Sequence, residues 1–219
     1  LFNTLKSRYN IVHLYLENPD GTVFVRVHQP GLYGDDITYR STAAQALASR
    51  ETVAGVDIGP NRVGVRSVSP LFDDDQFIGL IDVGLDYDQA FLNTLHNRTG
   101  TDYRLWLSYE AVAAAGLKPA ADAPAAPLGS LFYYAGTGTS APNASVDVVQ
   151  RVLSTNRLEI ESLSANGQRW AVLVAPLQAY PDRTIGAVEV VASQTVLLTD
   201  FLRSQTTVTA LAVGLALLA

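Results

Sequence analysis

One strand carries the first candidates for chemistry. In Thr22–His28 (TVFVRVH) successive side chains point to opposite faces. Phe24, Arg26 and His28 therefore share one face, and Val23, Val25 and Val27 the other. Arg26 and His28 so placed can converge on one anion, because a guanidinium fork matches carboxylate or phosphate and an imidazole changes charge near neutral pH. Arg66, on a later strand (Val63–Ser69), can complete the cationic set. Gly31, Gly34 and a helix N-terminus after Asp36 add backbone N–H donors, and Tyr33 and Tyr39 can wall a pocket. Arg40 and Asp82 belong to the same candidate site. The competing reading needs no ligand. In it Arg26 and Arg40 pair with Asp35 or Asp36, and Arg66 meets Asp82 from a neighbouring strand.

Catalytic readings find little support. The histidines, His13, His28 and His96, sit in no G-x-S-x-G or H-E-x-x-H motif, and neither a P-loop nor a G-x-G-x-x-G is present. A hydrolase using His28 with a loop serine or Asp36 is the weakest of the functional alternatives. Asp73–Asp75 lacks the spacing and distal Glu of a calcium loop and reads as a solvated turn. The two N-x-S/T sequons, at Asn97 and Asn143, read as incidental. With no cysteine, thiolate metal sites, disulfides and a Cys nucleophile are excluded. No cofactor or metal is expected. A net charge of −6 argues against a nucleic-acid partner, which needs a basic face.

The elements that must hold these residues follow from pattern and punctuation. Leu1–Tyr9 reads as the end of a helix and Ile11–Glu17 as a strand. Asn18-Pro19-Asp20-Gly21 is a turn, with Pro presetting φ and Gly supplying a positive one. Thr22–His28 is the hairpin partner. A helix over Ile37–Arg50 and strands at Val53–Ile58, Val63–Ser69 and Phe77–Leu85 follow. Asp86–Asn97 is a bridging helix. Asp102–Ser108 and Leu131–Ala135 form a second hairpin across a long Ala/Pro/Gly-rich loop, Ala111–Gly129. A further loop, Gly136–Ser145, precedes a helix near Val146–Leu153. This order predicts an α+β fold with antiparallel sheets and segregated helices.

The chain repeats itself. Val65–Val83 (VRSVSPLFDDDQFIGLIDV) aligns with Trp170–Val190 (WAVLVAPLQAYPDRTIGAVEV), matching Pro70-Leu71 to Pro176-Leu177, Ile78-Gly79 to Ile185-Gly186, and Asp82 to Glu189. Duplication places the modules at residues 10–90 and 91–193, between a helix end at 1–9 and a C-terminal helix at 194–219. Tyr133, Arg169 and Trp170 are the second module's ligand candidates, with Trp170 read as core. Thr206–Ala219 carries no charge and reads as the start of a transmembrane helix, which needs about 20 such residues. A chain that begins at Leu1 and contains no methionine reads as a fragment.

TVFVRVHQPGLYGDD, VGVRSVSPLF and FIGLIDVGLD together resemble the double Cache sensor family of bacterial receptors, and also the single Cache domains of citrate and C4-dicarboxylate sensor kinases. The shared pattern is an Arg/His pair near a glycine-acid turn, then R-x-x-x-P, then a closing I-G-x-x-x-V-G. It covers residues 10–90 well and the second module only in its last three strands. The resemblance implies two tandem PAS-like Cache modules, each an antiparallel sheet of about five strands with flanking helices, joined to a long N-terminal helix. It implies an extracytoplasmic (periplasmic) sensor of a bacterial inner-membrane receptor, homodimeric at full length, whose output is a histidine kinase, a diguanylate cyclase or a chemotaxis module. In the citrate-sensor relatives, positions matching Arg26, His28 and Arg66 hold ligand carboxylates, which implies a small anionic ligand in the first, membrane-distal module. The tyrosine–arginine–tryptophan–tyrosine series with which amino-acid-binding double Cache receptors grip an α-amino group is not found. The alternative is a ligand-free spacer that docks another periplasmic protein.

Overall fold

A computed structural model of the chain describes residues 2–117, 128–138 and 141–195. Among the described residues ten strands form two five-stranded antiparallel sheets of identical topology. The first holds β1 (His13–Glu17), β2 (Val23–Arg26), β3 (Val53–Ile58), β4 (Val63–Asp73) and β5 (Gln76–Asp86), in the order β2-β1-β5-β4-β3. The second holds β6 (Asp102–Ser108), β7 (Leu131–Gly136), β8 (Glu159–Ala165), β9 (Gln168–Ala179) and β10 (Arg183–Ser193), in the order β7-β6-β10-β9-β8. The duplication read from the sequence is thus a duplication of topology, and the fold is α+β with two antiparallel-sheet modules.

Among the described residues there are five helices, α1 (Phe2–Tyr9), α2 (Ser41–Ser49), α3 (Gln89–Thr99), α4 (Tyr109–Ala115) and α5 (Val146–Thr155). α2 covers the first sheet and α5 the second, while α3 and α4 lie at the seam. Three differences from the expected elements have local causes. The helix expected from Ile37 starts at Ser41, because Asp36 accepts from the Thr38 amide (2.7 Å) and turns the chain there. Tyr109–Ala115 is helical, although the sequence places the start of a long loop at Ala111. Alanine is the strongest helix former, the Ser108 hydroxyl caps the Ala111 amide, and Gly116 closes the helix in the left-handed region. β8 was not anticipated from the sequence; it is a half-exposed strand of alternating Glu, Ser and apolar residues.

The repeated Ile-Gly has a steric cause. At Gly79 a Cβ would lie 2.0 Å from the Glu17 carbonyl oxygen, and at Gly186 it would lie 1.9 Å from that of Trp106. In each sheet the long central strand passes so close to its neighbour that no side chain fits. Gly186→Ala is expected to destabilise the protein by roughly 2 kcal/mol or more, read as a lower denaturant midpoint. Gly31→Ala, whose Cβ would meet nothing, serves as the control and should leave the midpoint in place.

The sheets share apolar packing. Val63, with Val56, Ile58 and Tyr87 beside it, joins Leu105, Leu107, Val112, Leu177 and Ile185 in one cluster. The Tyr180 amide donates to the Val56 carbonyl (2.9 Å), and the Val63 amide to the Tyr134 hydroxyl (3.2 Å). Among the described residues no helix is long and apolar enough to cross a membrane. The expected C-terminal helix beyond Thr195 and the apolar segment Thr206–Ala219 lie outside the described residues.

Candidate ligand-binding site

On the α2 side of the first sheet, the register sets Arg26 opposite Tyr15 and Tyr15 opposite Asp82. A cleft of about 480 Å³ opens at the β1–β2 end of this face. Arg26, Arg40, Arg62, His13 and His28 line it together with Tyr15, Tyr33 and Tyr39, and Asp35 is its one acidic lining residue.

Of the seven residues expected at a ligand site, Arg26, His28, Tyr33 and Arg40 line this cleft. Asp36 does not; its carboxylate is held by the amide and hydroxyl of Thr38 at 2.7 Å each. Arg66 and Asp82 do not either. They form a buried bidentate pair, Nη2 to Oδ2 at 2.7 Å and Nε to Oδ2 at 3.0 Å, with the residues 4% and 0% exposed. Tyr15 separates them from the cleft, its ring centroid 4.9 Å from the Arg66 guanidinium and 5.2 Å from that of Arg26. Burial alone disfavours the Arg66 charge, but the Asp82 carboxylate outweighs it and the pKa is raised.

The loop anchor weighed as an alternative is also present. Arg26 forks onto Asp35 (2.7 and 2.6 Å) and also donates to the Leu32 carbonyl (2.8 Å). That hydrogen-bonded pairing raises the Arg26 pKa and holds Asp35 below the usual carboxylate range. Arg40 differs from its neighbours. Its Nε is buried with no hydrogen-bond partner, its guanidinium sits over the Tyr39 ring at 5.2 Å, and among the described residues it makes no ion pair.

His28 does not present a free N–H to the cleft. Its Nδ1 lies 3.2 Å from the Leu14 carbonyl and its Nε2 lies 3.4 Å from Nδ1 of His13. Burial lowers its pKa, and His13, Arg26 and Arg62 lower it further. Nε2 of His13 meets both Asp86 Oδ1 (2.9 Å) and Arg62 Nη1 (2.8 Å), so its tautomer decides which of the two it bonds. Arg62 also donates to Asp86 Oδ2 (2.7 Å). Burial raises the Asp86 pKa, yet His13 and Arg62 overcome it and hold the carboxyl low.

His13, Tyr15 and Arg62 were missed as site residues. The period-two spacing of His13 and Tyr15, in the strand that pairs with the Arg26 strand, was the available signal. Arg62 sits in a Pro-Asn-Arg turn that carries none. Glu17 shares the same face. It is 3% exposed, both carboxylate oxygens lack partners, and burial, reinforced by Asp82, pushes its pKa up to about 8.

The second sheet answers the same geometry differently. Glu189 matches Asp82, but its arginine comes from the opposite neighbour, Arg104 on β6. Arg104 donates to the carbonyls of Pro142 (2.8 Å), Ala141 (2.8 Å) and Gly138 (3.2 Å), and Glu189 Oε1 accepts from the Ala144 amide (2.8 Å). The β7–α5 loop therefore occupies the donors that face its sheet. Tyr133 packs edge-on against Trp106 at 5.5 Å, Trp170 joins the apolar core, and Arg169 is exposed.

No curated protein matches the chain. Among solved structures it is similar to the ligand-binding domain of the Campylobacter jejuni chemoreceptor Tlp3 in complex with 4-methylisoleucine, at 13% identity, covering 87% of this chain and 68% of that one with a TM-score of 0.45. A domain of a putative sensory box/GGDEF family protein from Vibrio parahaemolyticus is similar at 10% identity, 87% and 74% coverage and a TM-score of 0.46. An extracellular ligand binding receptor from Desulfohalobium retbaense is similar at 12% identity, 86% and 32% coverage and a TM-score of 0.46. Residues 1–198 match the double Cache family described as the double sensory domain of two-component sensor kinase, and the chain belongs to that family.

Proposed function

We propose that this sensory domain reads a small anion, a carboxylate by preference, in the cleft of its first module. The observation that carries the reading is Arg40, a guanidinium without a carboxylate partner in a cleft that Arg26 and Arg62 also line. The modules run over residues 10–90 and 91–193. The first is membrane-distal, and the domain is the extracytoplasmic part of a receptor anchored through its C-terminal segment and homodimeric at full length. The residues used differ from those expected. Arg26, Arg40 and Arg62 meet the ligand, Tyr33 and Tyr39 wall it, His28 orients His13, and the Arg66–Asp82 pair supports Tyr15 from behind.

A ligand signals only if it favours one conformation over another. Here the moving parts are the loop that Arg26 ties to Asp35 and the seam that links the first sheet to β9 and β10. A shift of β10 by about 1–2 Å, as at other switching interfaces, would be passed to the residues that follow it.

The test is a thermal-shift series with acetate, succinate and citrate at fixed ionic strength. A carboxylate at one hundred times its dissociation constant should add about 2.7 kcal/mol. Arg62→Ala should abolish the shift, since Arg62 lines the cleft, and because its side chain is partly exposed the variant should keep its fold. A flat response to all three anions would move the assignment to the ligand-free docking domain.

A further inference from the structure

A second cleft, of about 370 Å³, lies at the seam between the modules. Its lining includes Arg40 and Ser41 at the start of α2, Asp57 on β3, and Tyr180 and Arg183 at the β9–β10 turn. The Arg183 side chain makes no ion pair or hydrogen bond among the described residues, and it is exposed. Arg40 lines this cleft as well as the first, and its buried Nε has no partner in either. Two unpaired guanidiniums, one from each module, thus face one seam. Asp57, whose Oδ2 accepts from the Thr42 hydroxyl, is the one acidic lining residue, so two guanidiniums against one carboxylate leave the cleft net positive.

The start of α2 adds to this. Arg40 occupies its N-cap position in an extended conformation and supplies no side-chain cap. The first-turn amides of a helix need acceptors, and a helix N-terminus carries partial positive charge. Ser41, the first residue of the helix, is part of the lining.

We propose that the seam is a second site for a small oxyanion, clamped between Arg40 of the first module and Arg183 of the second at the uncapped start of α2. Guanidinium forks suit carboxylate and phosphate alike. Because each module supplies one arm, occupancy fixes how the two modules sit against each other, and the site regulates whatever the first cleft reads. The two sites share Arg40, but Arg62 lines only the first cleft and Arg183 only the seam, so variants at those two positions tell them apart.

The experiment is isothermal titration of the whole chain with inorganic phosphate and, separately, acetate, at constant ionic strength. It is run on the wild type, Arg183→Ala and Arg62→Ala. Phosphate or acetate binding that weakens at least tenfold in Arg183→Ala and persists in Arg62→Ala establishes the seam site, and the anion that binds names its class. Arg183 is exposed at a turn, so an unchanged melting temperature confirms that its variant is folded. Undiminished binding in Arg183→Ala, or no binding of either anion to the wild type, overturns the proposal. Acetate binding lost only in Arg62→Ala would leave the first cleft's assignment standing when the seam's has fallen.

Discussion

At pH 8, Glu17→Gln is expected to be more stable than the wild-type protein by a few kcal/mol, whereas near pH 4.5 the gain should be largely gone. Glu17 is buried on β1 with neither oxygen hydrogen-bonded. The charges around it come from every element packed on that face. They are Asp82 from β5, Arg66 from β4, Arg26 from β2, and Arg40 at the start of α2. The three arginines favour the carboxylate, but burial and Asp82 prevail, and the pKa rises from 4.5 to about 8. A carboxyl group with a raised pKa in the fold binds its proton more tightly folded than unfolded. Its contribution is therefore fully present below pH 4.5 and is lost as pH rises through 8. Between those values stability should fall by about 1.4 kcal/mol for each pH unit. Glutamine keeps the shape and removes the titration. Urea unfolding of both proteins at pH 5, 6.5 and 8 checks this, and identical pH slopes would show that Glu17 is ionised throughout.

The second large effect is expected at the buried ion pair. Arg66→Ala leaves the Asp82 carboxylate with no solvent exposure and no countercharge, beside Glu17. Breaking such a pair by removing one partner costs about 3–5 kcal/mol. Replacing both by apolar residues of similar volume is often neutral or better, so Arg66→Met with Asp82→Leu should recover most of that loss. Denaturant midpoints of Arg66→Met, Asp82→Leu and the double variant close the cycle, with Arg66→Ala measured beside them. A loss under about 1 kcal/mol in Arg66→Ala would mean that the charges do not depend on one another. The arithmetic also shows why Arg66 is a poor probe of ligand binding, because its removal threatens the fold before it touches the cleft.

How much of this was legible in the sequence depends on the range of the interaction. Strands were readable where β-branched runs end in Gly, Pro or Asp turns, and Val53–Ile58 and Asp102–Ser108 fall at the observed ends. The repeat was readable because Ile-Gly answers a backbone contact present in both sheets. β8 was hidden because its alternating Glu and Ser residues leave a weak apolar signal. The α4 helix was hidden because its alanines continue into a Pro-rich run that reads as loop. At the site, alternation placed Arg26 and His28 on one face, but it cannot tell which strand lies beside which. Setting β1 between β2 and β5 puts Tyr15 across the path from Arg26 to Arg66. That one placement turns a supposed three-residue anion clamp into a cleft on one side and an ion pair on the other. His13 and Arg62 joined the cleft for the same reason, through contacts with Asp86 that span much of the first module.

The apolar cluster that runs from Val56 and Val63 through Leu107 to Leu177 and Ile185 bears on the ancestry of the chain. Two copies of one fold that arise by duplication begin as self-sufficient units. Here each has surrendered part of its interior to the other, and β3 of one is hydrogen-bonded to the β9–β10 turn of its sibling. Either half produced alone would expose that patch to water and invite aggregation. Packing shared in this way couples the two halves, and the chain is expected to melt in a single transition.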